Sequence, residues 1–430
     1  MSAFPSNQTE MTASFANAVP AASTWGRRLA ALDASSAEYA TRFVALLLEA
    51  AGEVGVSDVH LQPVSTGLDI RWRLDGVLQQ LGVFPRGVAS DVVNRLKVLA
   101  ELLTYRTDVP QEGRLRRDPN PAAAKQLTAA TAGSGAEVRI STFPTVHGER
   151  LVIRRFAGAH ALQRLNELGY PAPIAVELGK VLHETSGLIV VAGPAGSGKT
   201  TTAYALLREL VARHAGGRSL VSLEDPVEVA IDGVSQSQVN PTVGFDLTQG
   251  LRSLLRQDPE VILVGEIRDR ATAETTLQAS LTGHLVLTTF HAGSAVTAIS
   301  RLLELGIEPY LLRSGLLGIV CQRLVRGLCE CKQPAEAATI YARELRSVWR
   351  AVGCTLCQQT GYRGRMVLAE WLRTENSELG RAILSREDAN RLQELALRAG
   401  LIPLRQRADE AIEGGLTTPA EILRVLGGNA

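Results

Sequence analysis

The sequence has few of the features that mark secreted, membrane-spanning or nucleic-acid-binding proteins. Five cysteines in 430 residues are too few for a disulfide scaffold and indicate a reducing compartment. No apolar run approaches the roughly 18 residues that cross a bilayer, and the N-terminus lacks a signal-peptide pattern. Forty-five basic against 44 acidic residues leave no strongly basic face, and no series of aromatic residues offers a base-stacking surface. These absences predict a soluble cytoplasmic protein.

What the chain does contain is a glycine-rich loop, Gly193–Thr200, between the apolar run Leu188–Ala192 and the helix-forming stretch Thr201–Val211. Its pattern, G-x-x-x-x-G-K-[ST], lets backbone N–H groups and the positive end of the next helix face phosphate oxygens. Lys199 can reach the β- and γ-phosphates, and the Thr200 hydroxyl can bind Mg²⁺. The chain is therefore predicted to bind a nucleoside triphosphate. The predicted nucleotide-binding residues are Gly193, Pro194, Ala195, Gly196, Ser197, Gly198, Lys199, Thr200 and Thr201.

Acidic residues end the two strands predicted next, Leu220–Leu223 and Val261–Val264. A phosphate-loop enzyme needs an acidic group at the end of a neighbouring strand to hold Mg²⁺ or its waters, and Glu266 fits that position. Glu224 and Asp225 should lie at the same edge of the sheet, where a carboxylate can orient or deprotonate the attacking water.

A histidine flanks each end of the following predicted strand, Leu285–Thr289. An imidazole at His284 or His291 could sense the γ-phosphate or contact a neighbouring subunit. A single histidine is more often structural, so the pattern alone is weak evidence.

The remaining pattern predicts an N-terminal α+β part, with strands joined by a hairpin at Asp75–Gly76. The Ala-, Pro- and Gly-rich stretch 118–136 is predicted to be a mobile surface loop. Beyond residue 178, short buried strands alternate with helices, which predicts an α/β fold with a mostly parallel sheet. From Leu311 onward we expect mainly helix, interrupted by a cysteine-bearing stretch, with Cys321 on an apolar helix.

Taken in order, these motifs resemble the Walker A, aspartate box, Walker B and histidine box of the type II secretion and type IV pilus assembly ATPases. The four boxes are Gly193–Thr200, Leu223–Glu228, Val264–Asp269 and Thr282–His291. Further segments match elsewhere in the chain, so that the resemblance covers about residues 38–428. These segments are Ser57–Pro63, Arg73–Val77, Pro110–Arg114, Arg139–Pro144, Gly148–Arg150 and Gly361–Arg365.

The resemblance implies a RecA-like P-loop NTPase domain, preceded by a small PAS-like α+β domain and followed by a helical cysteine-bearing subdomain. The expected segments are a disordered N-terminus (1–36), the α+β domain (37–160), a linker (161–178), the ATPase core (179–318), the cysteine-bearing subdomain (319–370) and a C-terminal helical subdomain (371–430).

The resemblance also implies a cytoplasmic ATPase that forms a homo-hexamer and uses ATP and Mg²⁺. Hydrolysis would move its domains against inner-membrane platform proteins, at the cytoplasmic face of that membrane, and drive assembly of a pseudopilus or pilus. The roles carried over are phosphate and Mg²⁺ binding by Lys199 and Thr200, Walker B acid for Glu266, aspartate-box carboxylate for Glu224, histidine-box positions for His284 and His291, and arginine fingers for Arg114 and Arg139. Either Glu224 or Glu266 could position the water.

The cysteines depart from the family pattern of two C-x-x-C pairs that bind zinc. The second pair, Cys354 and Cys357, is intact, whereas the first, Cys329 and Cys331, is one residue shorter. Four thiolates suit a structural Zn²⁺, but C-x-C does not give the usual knuckle geometry. A distorted zinc site and reduced thiols without zinc both stay open. The cysteine region argues against the pilus-retraction branch.

Only about 36 residues precede the match, where secretion ATPases usually carry a further docking domain, so the mode of docking stays open. Three alternatives accompany the main prediction: a motor specific to type IV pilus extension, a nucleic-acid translocase and a catalytically weak scaffold. The near-neutral charge argues against nucleic acid as a partner, and the intact Lys199, Glu224 and Glu266 argue against the scaffold.

Overall fold

A computed structural model of the chain describes residues 24–85, 89–115, 138–155, 164–214, 217–340, 343–345, 347–374 and 377–427. It contains two compact units, Met1–Ala157 and Gly158–Ala430, each with its own hydrophobic core. Within the described ranges, no helix combines the length and the apolar character that crossing a membrane requires.

In the residues that the structure describes, the first unit is an antiparallel sheet of six strands covered by three helices. The strands are β1 (Asp58–Val64), β2 (Gly67–Leu74), β3 (Val77–Pro85), β4 (Gln111–Arg114), β5 (Val138–Thr145) and β6 (Gly148–Arg155), and the helices are α1 (Thr24–Ala30), α2 (Tyr39–Val54) and α3 (Ala89–Leu99). Their order in the sheet is β3-β2-β1-β6-β5-β4. Alternate residues such as Val59 and Leu61 join Phe43 and Leu47 of α2 in one core, as expected for a sheet with one covered face.

The hairpin between β2 and β3 follows the predicted Asp-Gly turn. Leu74 pairs with Val77, and the two residues between them have positive φ, 48° at Asp75 and 83° at Gly76. Two-residue hairpin turns of this kind need positive φ at both positions, which Asp and Gly tolerate best. The turn therefore sets the register of the two strands.

The prediction that residues 1–36 are disordered is wrong for the part that the structure describes. Thr24–Ala30 forms a helix whose Trp25 and Leu29 are buried in the core of the first unit. Two apolar side chains four residues apart lie on one face of a helix, and this short pattern was missed among the polar residues around it. The predicted loop 118–136 lies outside the described residues.

The second unit has a seven-stranded sheet in the order β17-β12-β7-β11-β10-β8-β9, parallel except where β17 pairs with β12. Its strands are β7 (Gly187–Ala192), β8 (Leu220–Glu224), β9 (Ser235–Gln238), β10 (Val261–Ile267), β11 (Leu285–Phe290), β12 (Leu316–Leu328) and β17 (Tyr362–Arg373). Its helices are α4 (Ala172–Val181), α5 (Lys199–His214), α6 (Leu247–Leu254), α7 (Arg270–Leu281), α8 (Ala295–Glu304), α9 (Pro309–Gly315), α10 (Ser377–Leu384), α11 (Ala389–Arg398), α12 (Leu404–Glu413) and α13 (Pro419–Leu426).

Alternate residues of the central strands enter two different cores. Leu188 and Val190 of β7 lie in one apolar cluster, whereas Ile189 and Val191 lie in another on the opposite face of the sheet. A strand buried on both faces must be apolar throughout, which explains the continuous apolar runs in the sequence. This confirms the predicted α/β architecture with a mostly parallel sheet.

The prediction of mainly helix from Leu311 onward holds for Leu311–Gly315 in α9 but is wrong for the region that follows, up to Arg373. Leu316–Leu328 is a 13-residue strand of the main sheet, and Cys321 is buried on it rather than on a helix. An apolar run is compatible with a buried helix and with a buried strand. Here the run forms a strand because its backbone pairs with the edge of β7. The expected boundary between residues 318 and 319 therefore falls inside β12.

The cysteine-bearing segment lies between two strands of the main sheet, β12 and β17. It consists of turns and short strands, and helices follow from Ser377. These strands are β13 (Gln333–Ala335), β14 (Ala338–Ile340), β15 (Arg343–Leu345) and β16 (Val348–Arg350).

Candidate functional site: a nucleotide site and a cysteine cluster

The glycine-rich loop joins the carboxyl end of β7 to the start of α5, as predicted. Gly193 has φ 152°, and a Cβ atom there would lie 2.6 Å from the carbonyl oxygen of Gln322. Gly196 and Gly198 also have positive φ, 72° and 87°. Only glycine adopts this sequence of backbone angles without strain, so the loop geometry follows directly from the motif.

Two side chains of the loop bond to its own backbone. The Ser197 hydroxyl donates to the carbonyl oxygen of Pro194 at 2.8 Å, and Lys199 Nζ donates to the same oxygen at 3.0 Å. Burial holds the pKa of the half-buried Lys199 below its usual value, and the nearby Glu266 carboxylate opposes this shift only in part. The lysine charge therefore lies close to the predicted Walker B acid.

The four predicted boxes meet at one edge of the sheet. Lys199, Thr200, Glu224, Glu266 and His291 all line one cavity of about 210 Å³. The cavity lies at the carboxyl ends of parallel strands, where ligands of open α/β sheets bind. The hydroxyl of Thr200 and the carboxylate of Glu266 are hard oxygen donors of the kind that Mg²⁺ prefers.

Glu266, near the end of β10, contacts a histidine and an arginine through its two carboxylate oxygens. Its Oε1 lies 3.1 Å from Nε2 of His291, and its Oε2 accepts a hydrogen bond from Nε of Arg268 at 2.9 Å. Arg268 also donates to Asp225 at 3.0 Å, and the hydrogen bond with Glu266 raises the pKa of this guanidinium. The Glu266 side chain stays partly accessible, at 19% exposure, so it can meet a ligand in the cavity.

Glu224 has a different environment, because its buried carboxylate is occupied on both oxygens by neighbouring side chains. The Tyr204 hydroxyl donates to Oε2. The Ser222 hydroxyl and Nε2 of Gln236 donate to Oε1, at 2.5 and 3.1 Å. Burial, followed by the bond with Glu224, raises the pKa of the Tyr204 phenol, which stays a neutral donor. The position of Glu224 is thus fixed by the protein itself.

Sequence reasoning missed Arg268, Tyr204 and Gln236 as parts of the site. Arg268 stands two residues after Glu266, a spacing that places two side chains on the same side of an extended segment, so a signal was present. No local pattern pointed to Tyr204 or Gln236, because their partner Glu224 is distant in sequence.

The structure does not bring His284 to the phosphate loop. His284 precedes β11 and contacts the end of α7, with Nδ1 3.0 Å from the carbonyl oxygen of Ala279, whereas His291 follows the same strand. A six-residue strand separates the two histidines by about 20 Å. His284 therefore lies at the opposite edge of the sheet from Lys199.

Arg114 and Arg139 lie in the first unit, on the neighbouring antiparallel strands β4 and β5. They are directly opposite each other in the register of these strands. Directly opposed residues of an antiparallel pair project from the same face of the sheet, so two guanidinium groups are presented side by side.

The four cysteines near the C-terminal part form one cluster in spite of the shortened first pair. Their sulfur atoms all lie within 4.8 Å of one another, with Cys329–Cys354 at 3.8 Å, Cys331–Cys357 at 3.9 Å and Cys354–Cys357 at 3.7 Å. Sulfurs at the corners of a tetrahedron around Zn²⁺, with Zn–S near 2.3 Å, would be about 3.8 Å apart. The spacing in the sequence thus does not keep Cys331 out of the cluster.

Backbone N–H groups stabilise the thiolate form of one cysteine in this cluster. Those of Cys354 and Gly361 donate to the sulfur of Cys357 at 3.1 and 3.2 Å. Burial by itself raises the pKa of this thiol, but the N–H donors outweigh it and lower the pKa to about 7. A thiolate is the form that binds a metal.

Comparison with known proteins gives consistent results. The sequence profile of the family described as type II/IV secretion system protein matches residues 33–424. The chain is 38% identical over 395 residues to type II secretion system protein HxcR of Pseudomonas aeruginosa, which covers 92% of this chain and 79% of that protein. It is 39% identical over 389 residues to type II secretion system ATPase E of Vibrio cholerae, covering 89% and 74%. The X-ray structure of the Legionella pneumophila ATPase DotB has a similar fold, with a TM-score of 0.64 at 21% identity, covering 88% of this chain and 94% of that one.

Proposed function

This chain belongs to the type II/IV secretion system protein family and is an ATP hydrolase, and we propose that it is a hexameric motor for assembly of a pseudopilus or pilus. The observation that carries the proposal is the single cavity lined by Lys199, Thr200, Glu266 and His291. It joins phosphate-binding, metal-binding and proton-accepting groups at one sheet edge. The motor would work at the cytoplasmic face of the inner membrane through platform proteins. Its relatives are named as proteins of the type II secretion system, which supports a role in such a machine.

Within the cavity, the N–H groups of the loop and the Lys199 ammonium would bind the phosphates, while the Thr200 hydroxyl and Glu266 would hold the metal. When bound, Mg²⁺ neutralises charge that develops on the phosphates. We infer that Glu266 rather than Glu224 positions the attacking water. The reason is exposure: Glu224 is buried, with both oxygens bound by neighbouring side chains, whereas Glu266 stays partly accessible although its oxygens contact His291 and Arg268.

Two arginines of the first unit, Arg114 and Arg139, would complete the site during hydrolysis. Their side-by-side presentation on β4 and β5 supports this role, because paired guanidinium groups can neutralise transition-state charge. A site completed in this way requires another domain or subunit, so hydrolysis should depend on assembly.

The four clustered cysteines would hold one structural Zn²⁺. The near-tetrahedral sulfur separations and the N–H donors on Cys357 support this assignment. Zinc would join the turn that carries Cys329 and Cys331 to the turn that carries Cys354 and Cys357, and so stabilise the segment between β12 and β17.

The proposal is tested with the purified full chain by measuring specific ATPase activity across a range of protein concentrations, together with sedimentation velocity. A motor with a shared site gains specific activity as hexamers form. Constant specific activity through the dissociation range contradicts the shared site, and strong stimulation by DNA would favour a translocase instead. Deletion in the native host, with secreted proteins and surface pili measured separately, distinguishes a secretion motor from a pilus extension motor.

A further inference from the structure

A buried amide in β12, that of Gln322, contacts the phosphate loop from behind. Nε2 of Gln322 donates to the carbonyl oxygen of Ser197 at 2.7 Å. Oε1 accepts from the Tyr170 hydroxyl and from the Thr202 hydroxyl, the latter at 3.1 Å. Gln322 is 1% exposed and Thr202 is 2% exposed, so water cannot replace these bonds.

The amide of Gln322 has one favourable orientation. Rotating it by half a turn would place Oε1 against the carbonyl oxygen of Ser197, two acceptors without a proton between them. Burial raises the pKa of the Tyr170 phenol, which therefore remains a donor at neutral pH. The three bonds together fix the side chain, and the side chain in turn fixes the carbonyl of Ser197.

Fixing this carbonyl also fixes an N–H group of the loop. The C=O and N–H of a trans peptide unit point in opposite directions. Because the Ser197 carbonyl points at Gln322, the N–H of Gly198 points away from β12. Loop N–H groups are the groups that a phosphate-binding loop offers to its ligand.

Tyr170 connects this arrangement to the start of the second unit. It precedes α4, in the segment 164–171, called the entering segment below. This segment follows the boundary between the two units at Ala157 and Gly158. Its hydroxyl also lies 3.0 Å from the Thr202 hydroxyl, in the first turns of the helix that follows the loop. The entering segment and the phosphate loop thus share one buried hydrogen-bonded group.

We propose that Gln322 is a positioning residue for the phosphate loop, and that Tyr170 makes the geometry of this loop depend on the segment that enters the unit. The inference rests on ATP hydrolysis at this loop, as proposed above. Movement of the entering segment would then alter nucleotide affinity, and nucleotide binding would in turn hold that segment in place.

The test uses the full chain with Gln322→Met, which nearly keeps the side-chain volume and removes all three hydrogen bonds of the amide, and Tyr170→Phe, which removes one hydroxyl. We expect KM for ATP and Kd for ADP to rise about tenfold in Gln322→Met and about threefold in Tyr170→Phe, with a smaller change in kcat. In the Gln322→Met background, Tyr170→Phe should have a smaller effect than in the wild type, because Oε1 of Gln322 is gone and only the contact with the Thr202 hydroxyl remains.

Gln278→Met and Tyr310→Phe, at exposed positions, are the matched controls and should keep wild-type KM. Wild-type KM in folded Gln322→Met refutes the positioning role, and additive effects in the double variant refute the link through Tyr170. Should Gln322→Met fail to fold, unchanged KM in Tyr170→Phe refutes the proposal. A wild-type chain without ATP hydrolysis would instead refute the proposed function itself.

Discussion

Oε1 of Glu266 lies 3.1 Å from Nε2 of His291, so the predicted Walker B acid and the predicted histidine-box imidazole meet across the ends of two neighbouring parallel strands. The contact joins two segments that the sequence could only place at the same sheet edge. It also distinguishes Glu266 from Glu224, whose buried carboxylate accepts hydrogen bonds from Tyr204, Ser222 and Gln236.

Replacing Glu266 with glutamine should stop hydrolysis and spare nucleotide binding. An amide neither accepts the proton of water nor holds a metal as a carboxylate does, so we expect kcat to fall about 10²- to 10³-fold. Kd for a fluorescent ADP measured without Mg²⁺ should change little. Glu304→Gln, at an exposed position on α8, is the control. Hydrolysis at the wild-type rate in Glu266→Gln would exclude this residue from the reaction.

Replacing Glu224 with glutamine should act mainly on stability. The amide presents an NH₂ group to hydroxyl and amide donors that now converge on a carboxylate, so the free energy of unfolding should fall by about 1–3 kcal/mol. Urea unfolding measures this, and kcat measured in parallel should fall less than in Glu266→Gln. Unchanged stability together with abolished hydrolysis would show that Glu224 is the water-positioning acid instead.

Arg114→Ala and Arg139→Ala should lower kcat at least about 100-fold, because an arginine finger contributes to the transition state rather than to ground-state binding. ADP affinity should stay within about threefold of wild type. Arg42→Ala, which removes an exposed guanidinium on α2 of the same unit, is the matched control. An equal loss of ADP affinity and kcat would contradict the assignment.

The native chain should contain about one zinc per chain by elemental analysis. Cys354→Ser should lose the metal and lower the melting temperature by several degrees, since a thiolate ligand is removed. Cys321→Ala should keep the zinc, because Cys321 lies in the core of the sheet, outside the cluster. A native chain that lacks metal and has four titratable thiols in the cluster would disprove the site.

Glu421→Gln should destabilise the chain at neutral pH and much less in acid. Burial by itself raises the pKa of the Glu421 carboxyl, but hydrogen bonds from Arg424 and Arg326 outweigh it and hold the pKa below its usual value. A carboxylate whose pKa is lowered by folding contributes its full stabilisation of the folded state when the pH is above the ordinary glutamate pKa of about 4.3. This stabilisation is lost as the pH falls through the lower folded-state pKa.

We expect Glu421→Gln to lower the free energy of unfolding by about 1–3 kcal/mol at pH 7, with the difference shrinking in that acid range. Glu394→Gln, in an exposed pair with Arg391, should have little effect at either pH. A difference that does not depend on pH would rule out the carboxylate charge as its origin.

The sequence by itself determined the features whose causes are local. The loop Gly193–Thr200 follows from glycines at positive φ between a buried strand and a helix, and the Asp75–Gly76 hairpin follows from its turn residues. The parallel sheet follows from continuous apolar runs, and the common sheet edge brings Lys199 and Glu266 to one cavity.

Only the tertiary structure decided features that depend on partners distant in sequence. The apolar run Leu316–Leu328 became a strand because β7 offered it an open edge, and this placed Gln322 behind the phosphate loop. Glu224 is bound by Tyr204 and Gln236 because parallel pairing and helix packing bring them together. A hydrogen bond or a thiol cluster depends on atomic separations that chain spacing does not set, so the short Cys329–Cys331 pair still joins the cluster.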